Sequence, residues 1–208
     1  MKKLFTLMAA ALVSAGFGFN AWSADMPAMA AMAPVYTVDS AHSTIGFAVK
    51  HMMVAKVNGV FGDFQGDIKF DANDLAGSKF DFVIKAASIN TRNDARDTHL
   101  KSADFFDAEK YPTISFKTKK IQQSVAGSYD VTGDLTIKAV TKEIVIPVTV
   151  EGPVFNPMAK VDGIGIDANF KVNRQDYGVS WNKALDNGGV VVADDVAVSV
   201  NIEAHQAK

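Results

Sequence analysis

Tyr129-Asp130-Val131-Thr132-Gly133-Asp134-Leu135-Thr136-Ile137 alternates apolar or small residues with polar ones over nine positions. A period of two places one set on each face of an extended strand, one face dry and the other wet. Working outward, the same period returns in Ile45-Phe47-Val49, Phe64-Gly66-Ile68-Phe70, Phe80-Phe82-Ile84-Ala86, Ile114-Phe116, Ile144-Ile146-Val148-Val150, Ile164-Ile166-Ala168-Phe170-Val172 and Val196-Val198-Val200-Ile202. None of these inward sets carries a charge, while their neighbours are largely Lys, Asp, Gln, Thr and Ser, as in Gln65-Asp67-Lys69-Asp71. Eight half-buried strands most simply form an antiparallel sheet that closes on itself, because closure removes unpaired edges. Turn-forming compositions at Asn73–Gly77, at Ala126-Gly127 and in a Pro-rich link from Gly152 to Gly163 suit hairpins. The expected fold is all-β, an eight-stranded up-and-down barrel in which Gly66 and Gly133 mark places where the wall bends or narrows.

One insertion interrupts the meander, from Ser88 to Pro112. Asn93 and Ser102 are each expected to cap a short helix, with Pro112 ending the second. Counting strand reversals places the end of the first strand at His51, this insertion, the turn at Val140 and the loop from Asn173 to Val190 at one mouth. His51, Arg92, Arg96, Asp97, His99, Arg174, Asp176, Tyr177, Trp181 and Asn182 gather there, whereas His42 lies at the other end.

At 208 residues the chain accommodates one domain with a sizeable core. Lys2 and Lys3, the uncharged run from Leu4 to Phe19 and the small residues Ala21 and Ser23 read as a secretory signal peptide over residues 1–23. The run is shorter than the ~20 residues a membrane anchor needs. Residues 24–34 read as a Met/Ala-rich tether; Met26, Met29 and Met32 have thioethers suited to Cu(I), but a low-complexity link is the simpler reading. Residues 35–205 are then the barrel. There is no cysteine, which excludes disulfides, thiol catalysis and thiolate metal sites. The formal charge of −2 becomes about −4 without Lys2 and Lys3, and no basic block tracks phosphates, so nucleic acid is not an expected partner.

Catalytic signatures are sparse. Three histidines in the first half invite a zinc reading, but nine residues of strand at ~3.3 Å each would separate His42 from His51 by close to 30 Å. His51 and His99 could meet at the mouth with Asp97. No Gly-x-Ser-x-Gly elbow and no His-Glu-x-x-His is present. Arg96-Asp97-x-His99 has two readings: a tie between the insertion and the rim, or hydrogen-bonding groups for a polar or anionic ligand head. An eight-stranded barrel in turn either fills its interior with side chains or holds one small ligand.

Tyr36-x-Val38-Asp39-x-x-His42-Ser43, Phe47, His51, Gly59-x-Phe61-x-x-Phe64-x-Gly66 and Ser88-Ile89-Asn90-Thr91 resemble the opening half of the YceI-like family of lipid- and polyisoprenoid-binding proteins. The resemblance continues through Arg96-Asp97-x-His99-Leu100-x-Ser102-x-Asp104-Phe105-Phe106-Asp107, Tyr111-Pro112-x-Ile114-x-Phe116, Gly133-x-Leu135-Thr136-Ile137-x-x-Val140-Thr141 and Asn173-Arg174-x-Asp176-Tyr177-Gly178. Asn90 stands where the family commonly has Asp, and Ala139 where it commonly has Gly. The resemblance implies a lipocalin-like barrel, exported to the periplasm, holding a polyisoprenoid or quinone-like lipid, with the insertion packed against the mouth. On that basis the lipid tail is expected to contact Phe47, Val49, Phe64, Ile68, Phe82, Ile84, Phe116, Val131, Leu135, Ile137, Ile146 and Phe170. The head group is expected near His51, Arg96, His99, Arg174 and Trp181. No metal, no cofactor and no catalysis are expected, and a transient membrane contact is the further partner this reading admits. The rivals are an enzyme acting on an isoprenoid lipid through the mouth cluster, and a stress-related redox partner for which the barrel is a scaffold.

Overall fold

The computed structural model describes residues 33–186 and 188–208. The signal-peptide reading of residues 1–23 and the methionines Met26, Met29 and Met32 lie outside the described residues. Within them the strands are β1 (Val35–His51), β2 (Ala55–Phe61), β3 (Phe64–Lys69), β4 (Lys79–Lys85), β5 (Ile89–Asn90), β6 (Thr113–Val125), β7 (Ser128–Ile137), β8 (Val140–Asn156), β9 (Val161–Asn173) and β10 (Val192–Gln206), with one α-helix, α1 (Asp94–Lys101), between β5 and β6.

These ten segments make eight staves. β2 with β3, and β4 with β5, are each one stave broken at a corner, by Gly62-Asp63 and by a 3₁₀ turn at Ala86–Ser88. The two breaks sit side by side: the Gly62 N–H donates to the Ser88 carbonyl (3.1 Å) and the Lys85 N–H to that of Asp63 (2.9 Å). Both neighbours therefore bend together without stranding backbone groups. Every pairing is antiparallel, and β10 pairs with β1 to close the barrel.

Three local features differ from the sequence expectation. β1 starts at Val35, well before the alternating set that opens at Ile45, and a bulge interrupts its alternation: the register with β10 slips between Asp39 and Thr44. The Pro-rich link is mostly strand, since β8 runs to Asn156 and β9 resumes at Val161, the slip between Glu151 and Val154 absorbing Gly152-Pro153. The second short helix does not form. Asn93 caps α1, its side chain accepting the Arg96 N–H, but Ser102 ends that helix rather than starting another. The chain then folds back through turns, with Asp107 at φ 48° and its N–H donating to the Ser102 carbonyl (2.8 Å).

Inward residues of the first half of β1 and of β3, β4, β7 and β10 fill the end of the barrel that holds Tyr36. Ile68, Ile202 and Ala204 are buried completely or nearly so. Phe70 stacks on Phe80 (centroids 5.5 Å) and meets Tyr129 edge-on at 5.3 Å.

Candidate functional site

Beyond that packed end the barrel is hollow. A cavity of about 210 Å³ lies inside it, walled almost entirely by aliphatic and aromatic side chains. Its size exceeds the ~150 Å³ apolar cavities that stay dry and accept small hydrocarbons. Phe47, Val49, Phe82, Ile84, Phe116, Val131, Leu135, Ile137, Ile146 and Phe170 all face it, as the alternation requires. Phe64 and Ile68 do not border it: Ile68 is fully buried against Phe80 and Tyr36 in register, and Phe64 pairs with Ile84 where β3 leaves the corner.

The hollow has a specific cause. A methyl built on Gly59 would meet the Phe47 ring at 2.4 Å, one on Gly66 the Phe82 ring at 2.8 Å, and one on Gly133 the Phe116 ring at 2.5 Å. Each ring rests over a wall position that has no side chain, so three large residues find their room in the wall.

Several lining residues were not legible beforehand. Phe61, on β2, borders the cavity and meets Phe47 at 5.7 Å and Phe106 edge-on at 5.9 Å. Leu100, Phe105 and Phe106 reach it from the insertion, and Val179 and Val192 from the last long loop and strand. The usable signal for Phe61 was the alternation Val57-Gly59-Phe61, but the turn before β2 gave no warning. It is made by Met52 (φ 52°) and Met53 (φ 63°), residues that carry no left-handed turn signature.

A second cavity of about 170 Å³ forms the mouth and shares Phe47, Val49, Leu100, Phe105 and Val192 with the first. His51, Arg96, His99 and Trp181 come together around it. The His99 ring packs edge-on against Phe105 (5.0 Å) and Trp181 (5.1 Å), with Nε2 2.8 Å from Asp104 Oδ2. Arg96 donates from Nε to Thr91 Oγ1 (2.7 Å) and from Nη2 to the Thr91 carbonyl (2.9 Å); Nη1 has no protein partner among the described residues. Asp97, buried, accepts the Thr91 N–H (2.9 Å) and hydroxyl (2.5 Å) on Oδ1. Arg96 and Asp97 thus tie the helix to the end of β5, and Arg96 still keeps a donor at the mouth.

Arg174 corrects the expectation of a free charge there. It borders the larger cavity, but all five of its N–H donors are engaged: Nε to Ala193 O (2.9 Å), Nη1 to Val179 O (2.6 Å) and Trp181 O (2.8 Å), Nη2 to Val192 O (3.1 Å) and Asp194 Oδ1 (3.2 Å). Burial pulls its pKa below the ordinary guanidinium value, and Asp194 opposes that shift. Arg174 therefore braces the loop that carries Trp181, leaving no donor for a head group.

The two-histidine metal arrangement at the mouth is not assembled, since Asp97 turns to Thr91 and His99 to Asp104. Among the described residues, one trio of metal-ligating side chains lies within mutual reach: Asp39, Glu203 and His205, where the first half of β1 meets the end of β10.

Comparison with known proteins agrees with this architecture. Residues 36–204 match the YceI-like domain. The UPF0312 protein SAB2563 of Staphylococcus aureus (strain bovine RF122 / ET3-1) is 41% identical over 168 residues, covering 81% of this chain and 95% of that protein. Among solved structures, Burkholderia cenocepacia BcnA superposes with a TM-score of 0.70 at 26% identity, covering 80% of this chain and 98% of that one. The Campylobacter jejuni YCEI protein superposes at 0.64 with 33% identity, covering 76% and 90%. A polyisoprenoid-binding domain from Saccharophagus degradans shares the fold, with a TM-score of 0.64 at 17% identity over 84% of this chain and 99% of that one. With the closed eight-stave barrel and its capping insertion, the match across the whole barrel shows that this chain belongs to the YceI-like family.

Proposed function

We propose that this chain is an exported, non-catalytic carrier that encloses the apolar chain of a polyisoprenoid, or a quinone-like lipid, inside the barrel. The observation that carries the reading is the cavity wall: aliphatic and aromatic side chains with one charged neighbour, Arg174, whose donors are all engaged within the protein. Burying an apolar chain contributes about 0.8 kcal/mol per methylene, while ordering the chain costs part of that gain. The inner cavity and the mouth share five lining residues, and in this reading a tail too long for the inner cavity passes between them into the mouth. There the His99 ring, edge-on to the tilted pair of Phe105 and Trp181, suits a flat aromatic head, and Arg96 Nη1 suits an oxygen acceptor. That one structural relative is described as binding a polyisoprenoid supports the same ligand class.

Export to the periplasm rests on the signal-peptide reading of residues 1–23. Loading from a membrane is part of the proposal, and the β1–β2 hairpin suits it. Met52, Met53 and Val54 are exposed at its tip, Val54 to 86%, and exposed Lys50 and Lys56 flank them. An apolar tip between two cations inserts shallowly among anionic head groups.

Mass spectrometry of an organic extract of the purified protein tests the reading. A reproducible prenyl-chain lipid near one per chain is expected; extracts no richer in lipid than those of an unrelated exported protein would refute it.

A further inference from the structure

Asp39 and Glu203 are direct cross-strand partners on β1 and β10, the pairing that closes the barrel. Like charges so placed repel. Among the described residues neither carboxylate pairs with a lysine or arginine; the side chains that approach them are imidazoles. His205, diagonal to Asp39 on the same outer face, directs Nε2 toward both, 3.5 Å from Asp39 Oδ2 and 3.4 Å from Glu203 Oε1. Ligands ~2.0–2.2 Å from a tetrahedral ion stand about 3.3–3.6 Å from one another. Two pairs of donor atoms are therefore already spaced as ligands of one ion, and all three donors lie within 4.8 Å of one another.

The surrounding backbone holds this arrangement. The β1 bulge after Asp39 is pinned by Ser43, whose hydroxyl donates to the Glu203 carbonyl (3.3 Å) and accepts the Glu203 N–H (3.0 Å). The bulge turns His42 back so that Nδ1 is 2.8 Å from Asp39 Oδ2, while the Ala41 N–H donates to Oδ1 (2.9 Å). Bulges commonly re-aim side chains in this way. On the other flank β9 presents Gly165 opposite Glu203 and Gly163 opposite His205, so no side chain crowds the cluster. A methyl on Gly163 would stand 3.3 Å from His205 Nδ1.

We propose that Asp39, Glu203 and His205 bind a divalent first-row transition cation such as Zn²⁺, with His42 orienting Asp39 and water completing the coordination. Imidazole with carboxylate is a donor set such ions accept, and outer groups that hold a ligand carboxylate tune affinity. The ion replaces a repulsive cross-strand pair with a clasp across the seam where the first and last strands meet.

Calorimetric titration of the full chain with ZnCl₂ at pH 7.5, paired with thermal melting, tests this. The expected result is one zinc bound through this trio and a Tm raised by roughly 5–10 °C at a hundredfold excess over Kd. His205→Gln and Glu203→Gln should each weaken binding at least tenfold with circular dichroism unchanged, and His42→Ala by about tenfold. A His51→Ala/His99→Ala variant should bind zinc as the unaltered chain does. Cobalt(II) gives a second readout: its visible absorption should be intense in the unaltered chain and lost in His205→Gln. No zinc binding, affinity unchanged in both His205→Gln and Glu203→Gln, or binding lost with His51 and His99 instead would each overturn the site.

Discussion

Ile68, Phe70, Phe80, Tyr129 and Ile202 fill one end of the barrel, whereas Phe47, Phe82, Phe116 and Phe170 surround empty space toward the other, though all nine occupy inward positions of the same alternating strands. At the packed end rings meet rings, as Phe70 does with Phe80 and Tyr129. At the hollow end three of the rings lie over glycines on the wall. Period two tells which face a residue takes. Whether that face is full depends on what stands beside each ring, and a glycine there moves volume from the interior into the wall.

The largest expected effect concerns the loop that frames the hollow end. Arg174→Met should destabilise the chain by about 3–5 kcal/mol, since four carbonyls and Asp194 lose a buried charged partner. Urea denaturation measures this, and a loss below about 1 kcal/mol would mean the brace is incidental. Next, Ile68→Ala at the packed end should cost about 3 kcal/mol, while Ile137→Ala, which already faces open space, should cost only about 1 kcal/mol. Equal losses would erase the distinction between the two ends. Gly66→Val should push the Phe82 ring off the wall, reduce the lipid carried per chain, and cost about 1–3 kcal/mol by overpacking. Lipid content and melting temperature report the two effects separately.

The smallest effect lies at the β1–β10 seam, away from the mouth, and is read with chelator present. The His42 hydrogen bond is the first cause holding the Asp39 pKa down to about 2, and Asp39 in turn raises that of His42. Asp39 contributes stability above its unfolded value near 4, lost as pH falls through 2. His42 contributes below about 6.5, lost as pH rises through its raised native value. The pair is therefore fully favourable only between about pH 4 and 6.5. Proton NMR should show the His42 ring titrating above 6.5, returning toward 6.5 in Asp39→Asn; an unchanged midpoint would separate the two groups.

The staves were legible because outward Lys, Asp and Thr residues made the inward set unambiguous, and counting reversals brought His51, Arg96, His99 and Trp181 to one mouth. The start of β1 was hidden by the bulge after Asp39, and β2 by a Met-Met turn, since neither follows the usual turn chemistry. Arg174 looked like a ligand group because sequence shows a charge but not the carbonyls folded around it. The trio at the seam was invisible for a similar reason: Asp39 lies far from Glu203 and His205 in the chain, and only barrel closure makes them neighbours.

The central claim, that the hollow end encloses an apolar chain, is tested most directly by comparing lipid retained through identical purification by the unaltered chain and by Phe82→Arg. A guanidinium in that wall would be desolvated without a partner, so lipid content near one per chain should fall to background while the circular dichroism spectrum stays that of a folded barrel. Equal lipid in the two proteins, with Phe82→Arg folded, would contradict the claim.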